Sequence, residues 1–117
     1  MDKKKVLVVD DEDIVRISCK RVLEPEGHDV TLCSSAKEAL VLLEKETFDV
    51  VLADLKMPDI DGFELTLLIK KRWSSMKVVI MTGYITAQVR IESERAGVDF
   101  FVEKPFLPDD ILNAIQI

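Results

Sequence analysis

The 117-residue sequence has no long apolar stretch and no secretion signal. A membrane-spanning helix needs about 20 consecutive apolar residues, and no segment of this chain approaches that length. The lysine-rich start of the chain is followed by only four apolar residues before Asp10 and Asp11, whereas a signal peptide continues into a longer apolar region. We therefore expect a cytoplasmic protein that does not engage a membrane.

An excess of positive charge is also lacking. Lysine and arginine number 16 against 22 aspartate and glutamate residues, which gives a formal net charge of −6. Proteins that grip nucleic acid need a basic face for the phosphates, so we expect no direct nucleic-acid binding. The acid excess fits a cation site or a basic partner, although surface acid that favours solubility is the more common cause.

Cysteine and histidine are too few and too scattered for a zinc or redox site. Cys19 and Cys33 have neither CxxC spacing nor a histidine-containing ligand set, and we expect two buried free thiols. His28, the only histidine, lies in a Gly-His-Asp segment that we expect to be a surface loop.

There is no internal repeat, low-complexity tract or linker, and 48% apolar content suits one domain with a real core.

Five short apolar runs, typical of strands, alternate along the chain with five helix-like segments. The apolar runs cover 6–9, 30–33, 50–53, 78–81 and 100–102. Helices are predicted over 13–24, from a cap at Ser35, from Asp61 to about Arg72, over 85–96 and from Pro108. The fourth helix has the thinnest apolar stripe and is expected to be the most easily displaced.

This alternation predicts an α/β fold with a doubly wound, five-stranded parallel sheet and helices on both faces. For five strands, the flavodoxin-like order 2-1-3-4-5 places strands 1 and 3 side by side at the point where the order reverses. Ligands of such sheets bind beyond the carboxyl ends of the strands, next to that point. The topology therefore predicts where a site should lie.

Polar residues end or closely follow four of the five apolar runs. They are Asp10, Asp11, Asp54, Thr82 and Lys104. Because the carboxyl ends of parallel strands meet at one edge, we expect these side chains to converge there. The polar residues and the topology thus predict the same site.

The aspartates near the ends of the first and third apolar runs have two interpretations. Asp11 or Asp13 could cap the first helix, but Asp54 ends a buried strand, where an unpaired charge is costly. Two unit charges 4 Å apart repel by about 4 kcal/mol at an effective dielectric constant of 20. Clustered carboxylates therefore favour a hard cation, Mg²⁺ or Mn²⁺, bound through oxygen.

Four segments together resemble one known family. They are VLVVDD at 6–11, DLKMPDIDG at 54–62, MTG at 81–83 and FVEKPF at 101–106. The chain resembles, over essentially its whole length, the receiver (phosphoacceptor) domain of bacterial two-component response regulators. The resemblance implies one receiver domain, residues 1–117. The short last helix suggests a domain excised from a longer regulator, and a stand-alone receiver is the alternative.

The resemblance implies a role for each residue of the acidic site. Asp54 would be the phosphoacceptor nucleophile. Asp11, Asp54 and the backbone carbonyl of Lys56 would bind Mg²⁺, with Asp10 supporting the ion through water. Lys104 would offset charge on the phosphoryl group.

The resemblance also implies roles around the site. Pro105 would follow Lys104 through a cis bond that aims the lysine into the site. Thr82 would bond the phosphoryl oxygen, and Phe101 would act as an aromatic switch. Independently of the resemblance, Phe100 should point to the other face of the sheet, because neighbouring residues of a strand alternate. Two variable positions, Lys56 and Tyr84, should border the path of attacking water and so affect the phosphoryl lifetime.

The function implied is phosphorelay signalling. A sensor histidine kinase would donate the phosphoryl group, and the face made of helix 4, strand 5 and helix 5 would then control an output domain, a partner protein or a homodimer, often in transcription regulation. No enzymatic activity on a separate substrate is expected. A phosphorylation-silent adaptor remains the alternative. A flavin carrier of the same fold is disfavoured, because Asp-Asp-Glu-Asp at 10–13 would repel a phosphate.

Overall fold

The computed structural model describes residues 2–117 as five parallel strands flanked by five α-helices. The strands are β1 (Lys5–Val9), β2 (Asp29–Cys33), β3 (Val50–Asp54), β4 (Lys77–Thr82) and β5 (Phe100–Glu103). The helices are α1 (Asp13–Leu23), α2 (Ala36–Lys45), α3 (Gly62–Arg72), α4 (Ala87–Ala96) and α5 (Pro108–Ala114), with a 3₁₀ turn at Glu24–Glu26. The spatial order of the strands is 2-1-3-4-5, which confirms the predicted doubly wound fold.

The register of the sheet aligns the carboxyl ends of its central strands. Val9 pairs with Ala53 across β1 and β3. Asp54 pairs with Met81 across β3 and β4, and Thr82 pairs with Glu103 across β4 and β5. The residues that end or follow these strands are therefore neighbours along one edge of the sheet.

Each face of the sheet carries its own apolar core, because successive strand residues point to opposite faces. On one face, Leu7 and Val51 pack with Leu65 and Ile69 of α3. On the other face, the core is formed by residues that include Val8 and Leu52 from the sheet, Leu23 from α1 and Ile111 from α5. All five residues of β3 are buried, as expected for the central strand of a doubly wound sheet.

The helix starts follow the predicted caps with one exception. Ser35 accepts a hydrogen bond from the N–H of Glu38, and Asp61 accepts one from the N–H of Glu64. At α1, the cap position belongs to Glu12, whose side chain makes no capping bond. The interpretation of Asp11 or Asp13 as the cap is therefore wrong, since the helix begins at Asp13 and Glu12 holds the cap position.

Helix α4 begins two residues later than predicted and is weakly anchored. It buries only Ser93 and Ala96, with Val89 partly buried, while Ile91 is 47% exposed. Little apolar area holds the helix against the sheet, so little free energy opposes its displacement.

No helix among residues 2–117 combines the length and the apolar character that crossing a membrane requires.

Two minor expectations had different outcomes. Cys19 and Cys33 are buried free thiols, as predicted. His28 is buried and not a surface loop residue, so that prediction is wrong. Gly27 adopts a left-handed conformation at φ 91°, and the imidazole Nδ1 of His28 accepts a hydrogen bond from the N–H of Lys4 at 3.0 Å.

Candidate functional site

The polar residues predicted to converge do meet at the carboxyl edge of the sheet. Asp10 follows β1, Asp54 ends β3, Thr82 ends β4, and Lys104 follows β5. Asp10, Asp54 and Thr82 are buried, whereas Asp11 is exposed at the mouth of the site. The site therefore contains buried charged groups and opens to solvent on the side of Asp11.

Three carboxylates and one ammonium form the centre of the site. One oxygen from each of Asp10, Asp11 and Asp54 lies within 4.8 Å of the other two. The Nζ of Lys104 lies 2.9 Å from Oδ2 of Asp10 and 3.1 Å from Oδ1 of Asp54. One positive charge leaves the three carboxylates with an excess of negative charge, and their oxygen donors fit a divalent hard cation.

The charges in this cluster perturb one another. Burial raises the pKa of Asp54, the neighbouring Asp10 raises it further, and hydrogen bonding to Lys104 only partly opposes the shift. For Lys104, burial disfavours the charged form, but the bonds to Asp10 and Asp54 outweigh burial and raise its pKa. Lys104 is therefore held as a cation between two carboxylates.

Asp10 is held by three hydrogen bonds besides the one from Lys104, the first from its own N–H to the carbonyl of Cys33 at 3.2 Å. Its Oδ1 accepts a hydrogen bond from the N–H of Glu12 at 2.9 Å, and its carbonyl accepts one from the Arg16 guanidinium at 2.6 Å. Sequence reasoning missed Arg16. The available signal was a cation near the start of α1, where the helix dipole disfavours positive charge.

Gly62 allows α3 to begin against the backbone of the predicted nucleophile. A Cβ at this position would lie 2.7 Å from the Asp54 carbonyl oxygen and 2.9 Å from Cδ1 of Ile80. The N–H of Gly62 also donates to the carbonyl of Leu55 at 2.7 Å. Only glycine permits this close approach. The Asp61-Gly62 step is visible in the sequence, but the nearness of the β3 backbone is visible only in the structure.

Two exposed side chains, from the loops after β3 and β4, contact each other. The Nζ of Lys56 sits 5.5 Å from the centre of the Tyr84 ring, and Tyr84 is 69% exposed. The hydroxyl of Thr82 accepts a hydrogen bond from the N–H of Tyr84 at 3.1 Å. Through Tyr84, the loop after β4 thus contacts both Thr82 and Lys56, the residue two positions after Asp54.

The β5 segment places the remaining predicted residues. The Lys104–Pro105 peptide bond is cis, and the N–H of Lys104 donates to the carbonyl of Thr82 at 2.9 Å. Phe101 is partly buried and packs against the core on the α3 side of the sheet, whereas Phe100 is 47% exposed. The two aromatic side chains thus differ in burial, in line with their expected placement on opposite faces.

A mostly apolar groove opens beside Lys104, between α1 and the segment that leads into α5. Its lining includes Ile14, Val15, Pro105 and Phe106. Ile14 is 79% exposed. An apolar surface therefore borders the acidic site.

The fold and the site define the class: a flavodoxin-like α/β domain with an acidic site at its topological switch point. The family model of the response regulator receiver domain matches residues 6–116, and the chain belongs to that family.

Characterised relatives include both long and short proteins. The chain is 33% identical over 116 residues to the DNA-binding transcriptional regulator NtrC of Proteus hauseri, covering 99% of this chain and 24% of that protein. It is 34% identical over 116 residues to sporulation initiation phosphotransferase F of Bacillus subtilis (strain 168), covering 99% of this chain and 94% of that protein. The chain thus spans about a quarter of one relative and nearly all of the other.

Solved structures share the fold closely. A CheY-like response regulator receiver domain protein from Methanospirillum hungatei JF-1 is 36% identical with a TM-score of 0.91, over 98% of this chain and 92% of that one. Response regulator TrrA from Thermotoga maritima, solved in complex with Mg²⁺ and BeF, is 31% identical with a TM-score of 0.87. That match covers 97% of this chain and 96% of TrrA.

Proposed function

We propose that this domain accepts a phosphoryl group from a sensor histidine kinase onto Asp54 in a Mg²⁺-dependent reaction. The observation that carries the proposal is the convergence of Asp10, Asp11 and Asp54 within 4.8 Å, with Lys104 at 3.1 Å from Asp54. A carboxylate at this point is close to a fixed cation and to oxygen ligands for a second one. Phosphoryl transfer depends mainly on such positioning and charge neutralisation.

Mg²⁺, or Mn²⁺ in its place, would be held by Asp11, Asp54 and the backbone carbonyl of Lys56, with Asp10 supporting through water. When bound, the ion neutralises charge on the carboxylates and on the phosphoryl oxygens. Asp54 then forms the new oxygen–phosphorus bond as the bond from phosphorus to the kinase histidine nitrogen breaks. The product on this chain is an aspartyl phosphate, and the domain acts on itself rather than on a separate substrate.

Lys104 and Thr82 would recognise the phosphoryl group. The Lys104 ammonium already contacts Asp54 Oδ1 and would follow the new negative charge onto a phosphoryl oxygen. The Thr82 hydroxyl accepts from the N–H of Tyr84, so its own proton is available for donation to another phosphoryl oxygen. A bond formed there would draw the loop after β4 towards the site.

The output surface would comprise α4, β5 and α5, with Phe101 as the aromatic switch. The weak anchoring of α4 supports this proposal, because the helix buries only Ser93 and Ala96. Shifting a two-state equilibrium from 1:99 to 99:1 takes about 5.5 kcal/mol of differential interaction. The bonds of Thr82 and Lys104 would supply part of it, and an output domain, partner or second copy of the chain the rest.

The apolar groove beside Lys104 would receive the kinase. It is the apolar surface that borders the acidic site, and it includes the exposed Ile14 and the cis-linked Pro105. Burying such a patch against the donor would bring its phosphohistidine to Asp54. The contact would take place in the cytoplasm, and neither nucleic acid nor membrane takes part in it directly.

The domain, residues 1–117, would act within a longer transcriptional regulator. Similarity to NtrC, of which the chain covers 24%, supports this arrangement. Similarity to the sporulation phosphotransferase, of which it covers 94%, supports a stand-alone receiver instead.

Intact-protein mass spectrometry tests the proposal. Wild type and Asp54→Ala are incubated with acetyl phosphate, in Mg²⁺ or in EDTA. The expected result is a single phosphoryl adduct that requires both Mg²⁺ and Asp54. An adduct that persists in Asp54→Ala contradicts the assignment of the nucleophile. A folded, Mg²⁺-binding protein without any adduct indicates either a receiver that accepts only its kinase as donor or a silent adaptor.

Hydrogen exchange tests the switch separately. Adding a phosphoryl mimic should change exchange in residues 83–103 of the wild type, and the change should be lost in Thr82→Ala. Unchanged exchange in the wild type would contradict the switch while leaving the phosphorylation chemistry intact.

A further inference from the structure

A carboxylate outside the acidic cluster joins two elements near the site. Asp59 lies in the loop between β3 and α3, and its Oδ2 accepts a hydrogen bond from the N–H of Lys37 at 2.9 Å. Its Oδ1 accepts a longer bond, 3.4 Å, from the N–H of Ala36. These are the first two residues of α2, and their N–H groups have no partner within the helix. Asp59 therefore caps a helix to which it does not belong.

The loop from Lys56 to Asp61 is fixed at its two ends. At its base, the N–H of Gly62 donates to the carbonyl of Leu55, and Asp61 caps α3. Between these points, Asp59 provides the only hydrogen bonds within residues 2–117 that join 56–60 to another element. Met57 and Ile60 add partly buried apolar contacts with the core.

The electrostatics of Asp59 agree with this role. Partial burial raises its pKa, but hydrogen bonds from backbone N–H groups, that of Lys37 first, outweigh the burial and lower the pKa overall. A carboxylate at a helix N-terminus is also favoured by the helix dipole. Asp59 is thus held ionised as the polar tether of the loop.

We propose that Asp59 is a positioning residue for the metal site. By tying the loop to α2, it fixes the backbone carbonyl of Lys56, three residues earlier, relative to Asp11 and Asp54. The inference rests on the proposed Mg²⁺ site. Groups that orient metal ligands without touching the metal typically alter affinity by 10- to 100-fold, and this backbone ligand should lie at the lower end, about tenfold.

The chain offers a matched control for this effect. Ser35 caps the same helix through the N–H of Glu38 at 3.2 Å, and its side chain makes no hydrogen bond to the loop within residues 2–117. Asp59→Ala and Ser35→Ala should therefore both lower the urea midpoint of unfolding, since each removes an α2 cap. Only Asp59→Ala should weaken Mg²⁺ binding, by about tenfold in titration calorimetry.

Asp59→Asn separates position from charge. The amide oxygen keeps an acceptor for the Lys37 N–H, and asparagine caps helices about as well as aspartate, so Mg²⁺ affinity should stay close to that of the wild type. Equal affinities for Asp59→Ala and Ser35→Ala would overturn the inference, as would an Asp59→Asn affinity as weak as that of Asp59→Ala. A wild type that binds no Mg²⁺ would overturn the proposed function as well. If the wild type does bind Mg²⁺, a negative result for the Asp59 variants overturns only the role of Asp59.

Discussion

The ammonium of Lys104 lies 3.1 Å from the carboxylate of Asp54, a residue 50 positions earlier in the chain. The same Nζ lies 2.9 Å from Asp10. This one cation thus joins the ends of three strands, because it follows β5 and contacts the residues that end β3 and follow β1. Any change in the charge on Asp54 should therefore alter the interactions of Lys104 at the end of β5.

Replacing Lys104 should affect metal binding and phosphorylation in opposite directions. Lys104→Ala removes the cation between two carboxylates, so Mg²⁺ should bind roughly tenfold tighter. This gain is smaller than the interaction energy of two unit charges 4 Å apart, which is ~4 kcal/mol at an effective dielectric constant of 20. Uptake of the phosphoryl group should slow by about 100-fold, because a group that stabilises developing charge is lost. Calorimetry and timed mass spectrometry measure the two effects.

The control for Lys104 is a lysine remote from the site. Lys20 is exposed on α1, and Lys20→Ala should alter neither quantity. Unchanged or weaker Mg²⁺ binding in Lys104→Ala would contradict the view that the ammonium competes with the metal for the carboxylates.

Adding a methyl group at Gly62 should disturb the nucleophile from behind. In Gly62→Ala the new Cβ would meet the Asp54 carbonyl oxygen at 2.7 Å, and overpacking of this kind costs about 1–3 kcal/mol of unfolding free energy. Phosphoryl uptake should fall as well, because β3 must shift at Asp54. Urea unfolding and the mass-spectrometric assay measure both losses.

Gly83 serves as the comparison for Gly62. A Cβ there would lie 3.7 Å from the Lys104 carbonyl oxygen, an ordinary contact, so Gly83→Ala should change stability by less than about 1 kcal/mol. Equal stability losses in the two variants would show that the close approach at Gly62 is not the cause.

The contact between Lys56 and Tyr84 should slow hydrolysis of the aspartyl phosphate. An exposed cation–π pair contributes about 0.5–1 kcal/mol. Tyr84→Ala should therefore shorten the half-life of the adduct about two- to fivefold, by opening the path of water to Asp54. Tyr84→Phe keeps the ring and should resemble the wild type.

A double-mutant cycle isolates that pair. If the lysine shields the adduct only through the ring, Lys56→Ala should have little further effect in the Tyr84→Ala background. Fully additive effects of the two substitutions would mean that the residues act independently.

The buried His28 should make the fold sensitive to mild acid. Burial and the nearby Lys3 lower the pKa of His28 below 6.5, and Nδ1 must stay unprotonated to accept the bond from Lys4. The resulting stability is fully present above the unfolded-state pKa of about 6.5 and is lost as pH falls through the lower folded-state value. Urea unfolding from pH 7.5 to 5 should show this loss.

His28→Asn is the test variant for the pH effect. Its amide oxygen can accept the bond from the N–H of Lys4 but does not titrate in this range. The slope of stability against pH should therefore be smaller than in the wild type. Identical slopes would assign the acid sensitivity to other groups.

Local patterns were enough to predict the strand order and the edge that carries the site. Apolar runs and capping residues such as Ser35 and Asp61 depend on neighbours in sequence, and the carboxyl ends of parallel strands must share one edge. The resemblance to receiver domains added roles for Asp54, Thr82 and Lys104, and these roles remain proposals. Helix boundaries deviated only at the ends, as for α4, where two residues stay outside the helix.

Contacts between distant segments did not follow from such patterns. The bond from the Lys4 N–H to His28 joins positions 24 residues apart, and the bond from the Lys37 N–H to Asp59 joins positions 22 residues apart. Each is a hydrogen bond whose partners are brought together by the packing of whole elements. Periodicity and propensity carry information about which face of an element is buried, but not about which polar groups then come within 3 Å of each other.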